Sequence, residues 1–225
     1  MQSRFKSAAR GKMAAPEKMN GRERMLDRRK KIREAIRQAA IDEFAQKGLA
    51  GASTQSIAQR AGLTKPQLHY YISSKEELYE EVLVHINELW RDIFIASSGD
   101  SKDPAKVIRD YVRNKLEFGR RHPNASRVFS NEVAAGGHYL QKHWHSARES
   151  TRSAAEIIQS WVDKKLIKPV DPWLFQMHIW AVTQHYADYE AQIRYMLQLK
   201  EGEEIDMDHV VDEVSTLFLR ACGLK

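Results

Sequence analysis

A chain of 225 residues, 42% of them hydrophobic, has the composition of a globular protein and the length for one large or two small domains with cores of their own. No apolar run approaches the roughly 20 residues that span a bilayer, and the amino terminus lacks the apolar stretch and small-residue cleavage site of a secretory signal, so a cytoplasmic protein with no membrane partner is expected. A single cysteine, Cys222, excludes a disulfide framework and any multi-cysteine metal site, and the net charge of +6 is uneven: residues 1–31 carry eleven Lys/Arg against three acidic residues, a net of +8.

Residues 1–28 read as a basic flexible arm, too poor in apolar groups to fold alone, that would gain counterion-release energy against a polyanion. A solvated tail is the other reading. From there the periodicity is helical. Ile32, Ile36, Ala40 and Phe44 recur at i, i+4 up to Gly48, a C′ residue. Ser53 caps a second helix with Ile57 and Ala61 inward, stopped by Gly62. Thr64 caps a very short third, with Leu68 and Ile72 on one side. Ser74 and Glu77 form the S-x-x-E box of a fourth, followed by Leu78, Val82, Ile86, Leu89 and Ile93 at helical spacing. The stretch SSGDSKDP breaks the pattern. Asp103-Pro104 opens a helix through Val107, Ile108, Tyr111, Val112 and Leu116. His122-Pro123 interrupts, and a further segment runs through Val128, Phe129 and Val133 to Gly136-Gly137. Residues 140–166 are helical again, Asp171-Pro172 opens one long helix to about residue 199, and 210–221 form the last. With no strand-like alternation, the fold class is all-α.

A helix ended by glycine, a tight turn, and a third helix with Leu63, Leu68 and Ile72 inward and polar or aromatic groups outward is the logic of a helix-turn-helix. Gln67, Tyr70 and Tyr71 lie away from Leu68. Glutamine pairs bidentately with adenine, tyrosine hydroxyls reach phosphates, and the helix starts at Thr54 and Lys65 favour anions. The same pattern also fits the solvated surface of a helical hairpin with half-buried tyrosines.

The run AAIDEFAQKGLAGASTQSIAQRAGLTKPQLHYYISSKEELY, between Ile36 and Tyr79, strongly resembles the DNA-binding domain of TetR-family transcriptional regulators. The resemblance implies phosphate contacts for Thr54, Tyr71 and Lys75, and groove contacts for Gln55, Lys65, Gln67, His69 and Tyr70. Ile72 stands where phenylalanine is usual and His69 where tyrosine or leucine is frequent, which bears on base preference. Further on, IRDYVRNKLEFGRRHPNASRVFSNEVAAG and WVDKKLIKPVDPWLFQMHIWAVTQHYADYEAQI resemble the pyrimidine-utilisation regulators of that family rather than its drug-efflux repressors. Three parts are therefore expected: an arm (1–28), a three-helix helix-turn-helix domain (29–79) and a helical effector-binding and dimerisation domain (80–225). The family implies a homodimer, joined through the last two long helices, on half-sites about 34 Å apart or a small multiple of that. Trp173, Phe175, Trp180, Tyr186, Leu217 and Phe218 are candidate interface or core residues.

Trp180, Gln184 and Asp188 recur at i, i+4, stacking an indole, an amide and a carboxylate along one helix side. With Trp90 they are the candidate ligand-binding residues; interface hydrogen bonding would use the same groups. His138, His143 and His145 cluster near Trp144, but i, i+2 histidines on a helix diverge, and no metal is expected. No G-x-S-x-G, Walker glycines or paired acids ask for a cofactor or a catalytic role. The expectation is a ligand-controlled repressor of a palindromic double-stranded DNA operator, released by uracil or a related pyrimidine metabolite. The alternatives are a regulator of efflux or lipid genes with a hydrophobic effector, and a helical enzyme using the histidine cluster.

Overall fold

The computed structural model describes residues 20–91, 93–98 and 103–224, and the described residues form helices, turns and loops without a strand. Helix α1 (Gly21–Gly51) opens with a capping box: Asn20 Oδ1 accepts from Glu23 N at 2.9 Å and Glu23 Oε2 from Asn20 N at 2.8 Å. It thus begins inside the stretch read as an arm, and its first turns stand exposed before Ile36 enters the core; residues 1–19 lie outside the described residues. Gly48, at φ +64°, interrupts the helix where the sequence places its end, a conformation only glycine adopts cheaply.

Ser53 Oγ accepts from Gln55 N at the start of α2 (Thr54–Arg60), and Thr64 caps α3 (Lys65–His69). In α4 (Lys75–Arg91), Ser74 Oγ accepts from Glu77 N at 3.0 Å. The first four helices close on Phe44, Ile57, Leu68, Tyr79, Val82 and Leu83, with the Phe44 and Tyr79 rings edge-on at 4.9 Å. Leu89, placed on the inward stripe by its spacing, is 45% exposed.

The second half comprises α5 (Ile93–Ser98), α6 (Pro104–Arg121), α7 (Pro123–Ala134), a 3-10 turn (Gln141–His143), α8 (Trp144–Asp163), α9 (Pro172–Asp188), α10 (Glu190–Met196) and α11 (Met207–Ala221). Two boundaries differ from expectation. The 140–166 helix starts as the 3-10 turn and ends at Asp163. The long helix expected to reach residue 199 breaks at Tyr189. At that break the Asp188 carboxylate is held by Ser126 Oγ of α7 at 3.2 Å, a tertiary tie that local sequence cannot report.

The core of this half joins α6, α8, α9 and α11 through Ile108, Val112, Ile158, Ile179, Val211 and Leu219. Phe175 and Phe218 pack edge-on at 5.6 Å in that core, whereas Leu217 faces outward. A side chain at Gly119 would bring Cβ to 2.8 Å from the Ala187 Cβ, so glycine permits the close crossing of α6 and α9. Helix α7 touches both halves, packing on α1, α4 and α9. Asn124 Nδ2 donates to Asp42 of α1 at 2.9 Å, and the Tyr79 hydroxyl donates to Glu132, whose other oxygen accepts from Tyr139 N at 2.8 Å. No helix among the described residues is long and apolar enough to cross a membrane.

Candidate DNA-reading surface and effector cavity

Leu68, fully buried, anchors α3 and turns Lys65, Gln67, His69 and Tyr70 to solvent. Tyr70 is 74% exposed and meets the half-buried Tyr71 edge-on at 5.3 Å. Two candidates carry local duties as well. Gln67 Oε1 accepts from Thr64 N at 2.8 Å and from Thr64 Oγ1 at 3.1 Å, completing the α3 capping box. Lys75 Nζ donates to Ala52 O at 3.1 Å, tying the start of α4 to the segment before α2. Gln55 is exposed and Thr54 half-buried at the α2 start.

Beneath this surface Glu43 is fully buried, a residue the sequence reading passed over. Its carboxylate accepts from Lys47 Nζ at 2.8 Å, Ser56 Oγ at 2.7 Å and Ser53 N at 3.3 Å. Burial pushes its pKa up, but the bonds from Lys47, Ser56 and Ser53 outweigh that and hold it at about 2. The carboxylate thereby fixes the start of α2 against α1.

Behind the helix-turn-helix, the second half of α4 forms one wall of a partly open cavity of about 800 Å³ whose other walls come from α5, α6, α7, α8 and α9. Trp90, Trp180 and Gln184 line it; Asp188 does not, and stands behind Gln184. Gln184 Nε2 donates to Ser130 Oγ at 3.0 Å, to Asp188 at 2.9 Å and, in a short contact, to Ser126. Its amide hydrogens are therefore committed, leaving the carbonyl as the part a ligand can use. Trp180 Nε1 donates to the Tyr111 hydroxyl at 2.6 Å, so its ring faces remain for stacking.

Lys115, a residue not singled out from sequence, also lines the cavity, its Nζ 4.2 Å from the centre of the Trp90 ring. Burial pushes its ammonium down to about 8, against the opposing pull of the Asp188 charge. The signal for it was its place four residues after Tyr111, within the apolar stripe of α6. The Trp90 indole Nε1 is buried and has no hydrogen-bond partner among the described residues.

The histidines are scattered in role. His143 Nε2 lies 2.7 Å from Glu80 Oε1 of α4, which Lys142 Nζ also meets at 2.6 Å, while His138 and His145 are exposed. The bonds from Lys142 and His143 lower the Glu80 pKa. Among the described residues no group of three or more His, Cys, Asp or Glu is placed to hold a metal ion.

A capped helix-turn-helix joined through one continuous helix to a ligand-sized cavity defines a ligand-responsive, DNA-binding transcriptional regulator. The profile of bacterial regulatory proteins of the tetR family matches residues 36–82, and that of the YcdC-like protein C-terminal region matches residues 83–225. The chain belongs to the tetR family. It is 35% identical over 199 residues to the HTH-type transcriptional regulator RutR of Escherichia coli, covering 88% of this chain and 92% of the relative. The HTH-type transcriptional repressor NicS of Pseudomonas putida is 27% identical over 112 residues, 50% of this chain and 53% of its own. Among solved structures, AibR in complex with isovaleryl coenzyme A and operator DNA superposes with a TM-score of 0.65 at 17% identity, covering 83% of this chain and 97% of that one. A TetR family transcription regulator from Marinobacter aquaeolei gives 0.69 at 20% identity, over 88% and 98%. At these identities the structural likeness concerns the fold.

Proposed function

We propose that the protein is a cytoplasmic, non-enzymatic repressor whose homodimer holds a palindromic operator and lets it go when a pyrimidine metabolite such as uracil enters the cavity. Residues 29–79 form the reading head and 80–225 the effector and dimer domain. The outward apolar side chains of α9 and α11, among them Leu174, Met177 and Leu217, suit a seam between two copies. Gln55, Lys65, Gln67, His69 and Tyr70 face the groove; Thr54, Tyr71 and Lys75 hold phosphates.

One observation carries the effector reading: Trp180 offers a ring face in the same cavity that Trp90 lines and into which Gln184 brings its amide, a chemistry matched to a flat ring with a polar edge. Because Trp90 sits on α4, a ring bound there acts on the helix that follows the helix-turn-helix. Effector lowers operator affinity only to the extent that it prefers the α4 placement that DNA does not. The test is fluorescence anisotropy of operator DNA titrated with uracil and thymine. Release at micromolar to millimolar pyrimidine, lost in Gln184→Leu, is expected. Release by an aliphatic or aromatic drug with no response to any pyrimidine would move the protein to the efflux or lipid class, a reading the largely apolar lining would then explain.

A further inference from the structure

The charge of the cavity is lopsided. Arg91, Lys115 and Arg148 line it, and no Asp or Glu does among the described residues. Arg148 lies at the Trp173 ring, 5.9 Å from its centre. The Lys115 ammonium rests on the Trp90 face, and the opposing charge acting on it, Asp188, is engaged by Ser126 and Gln184. A π face compensates a partly desolvated ammonium less than withdrawal from water costs it.

Hydrogen-bond donors add to the imbalance. Trp90 Nε1–H, on the ring under Lys115, is buried and has no hydrogen-bond partner among the described residues. The Tyr111 oxygen accepts from Trp180 and the Ser130 oxygen from Gln184, so each hydroxyl keeps its own proton to give. A neutral imide ring brings roughly as many donors as acceptors and no charge. It satisfies Trp90 N–H or Lys115 through a carbonyl and leaves the ammonium uncompensated.

We infer, resting on the effector site proposed above, that among flat ring effectors the site prefers one carrying an acidic group over the neutral imide and binds it as an anion, its charge on Lys115 and an acceptor on the Trp90 indole N–H. The ring lies against Trp180, and Gln184 offers its carbonyl to a ring N–H. The volume of about 800 Å³ leaves room for the acidic substituent beside a single six-membered ring.

Isothermal titration of the full-length protein with matched acid and amide probes separates charge from shape: uracil-6-carboxylate against its carboxamide, benzoate against benzamide, indole-3-acetate against indole-3-acetamide. At least one acid is expected to bind ten-fold or more tighter than its amide. Lys115→Met should bring that ratio close to one, and Lys115→Arg should keep much of it, so loss in Met alone is not a folding artefact. A panel in which no acid is preferred over its amide overturns the inference, as does a preference unchanged in Lys115→Met. The site reading fails separately: a probe whose binding and DNA release persist in Ala147→Trp, which fills part of the cavity, acts elsewhere and overturns both.

Discussion

The Glu43 carboxylate accepts a 2.7 Å hydrogen bond from Ser56 Oγ, joining the buried face of α1 to the first turn of α2. Lys47, Ser53 and, at 3.4 Å, Arg60 Nε also meet it, and its pKa is held at about 2, below the usual 4.5. A carboxyl with a folded-state pKa below its unfolded value stabilises the fold fully above the unfolded value. That contribution is lost as pH falls from about 4.5 towards 2. Glu43→Gln keeps the shape, loses the charge-assisted bonds and should cost about 1–3 kcal/mol in urea unfolding at pH 7. The gap to wild type should shrink as pH is lowered through that window; a constant gap would mean the charge is immaterial.

Gln67 and Lys75 should fail differently. If Gln67 reads a base, Gln67→Ala removes that amide and, with it, the Gln67 half of the α3 capping box, while the Thr64 hydroxyl keeps its bond from the residue 67 N–H. Gln67→Glu separates the two, since glutamate also serves that cap position but has no amide N–H for adenine N7. Gln67→Glu should therefore keep the melting temperature and lose base preference at one operator position, whereas Lys75→Ala should weaken all sequences alike and lower the salt slope by about one unit. Equal loss on operator and random DNA in Gln67→Glu would take that residue out of base reading.

Much of this frame was legible from short-range chemistry. Ser53, Thr64, Asp103 and Asp171 each bond a backbone N–H two or three residues on, so a cap shows in the sequence as a residue type at a fixed offset. Leu89 misled because spacing defines a helix face but not what covers it. The break at Tyr189 is tied to Asp188 reaching α7, and Glu43 and Lys115 matter through groups distant in sequence or in another helix. Those are tertiary facts. The cavity was half legible: Trp180 and Gln184 share a helix side by periodicity, while their meeting with Trp90 depends on α7, which packs on both α4 and α9.

The basic leading segment divides at Asn20, the cap of α1. Deleting residues 1–19 leaves the cap in place; deleting 1–28 removes it together with Arg22, Arg24 and Arg28. Both truncations should lower non-specific DNA affinity and its salt dependence, the longer one more, with dimerisation unchanged in sedimentation. Identical salt slopes for all three chains would reduce the segment to a solvated tail.

Glu80 offers a lever on signalling. Through Lys142 Nζ at 2.6 Å and His143 Nε2 at 2.7 Å it ties α4 to the 3-10 turn that leads into Trp144, a cavity-lining residue. Such a partly exposed pair is worth about 0–1 kcal/mol to stability, so Glu80→Gln should change the melting temperature little. Its effect should appear in coupling. If the tie transmits displacement of Trp144 to α4, the mutant should bind effector and operator separately with near wild-type affinity, yet the factor by which one weakens the other should fall several-fold. Linkage requires the same factor in both directions, so operator must weaken effector binding as much as effector weakens operator binding. Measuring both affinities with and without the other ligand closes that cycle. An unchanged factor in Glu80→Gln would leave the α4 contacts of Trp90, and the Tyr79 to Glu132 bond between α4 and α7, as the route from cavity to DNA.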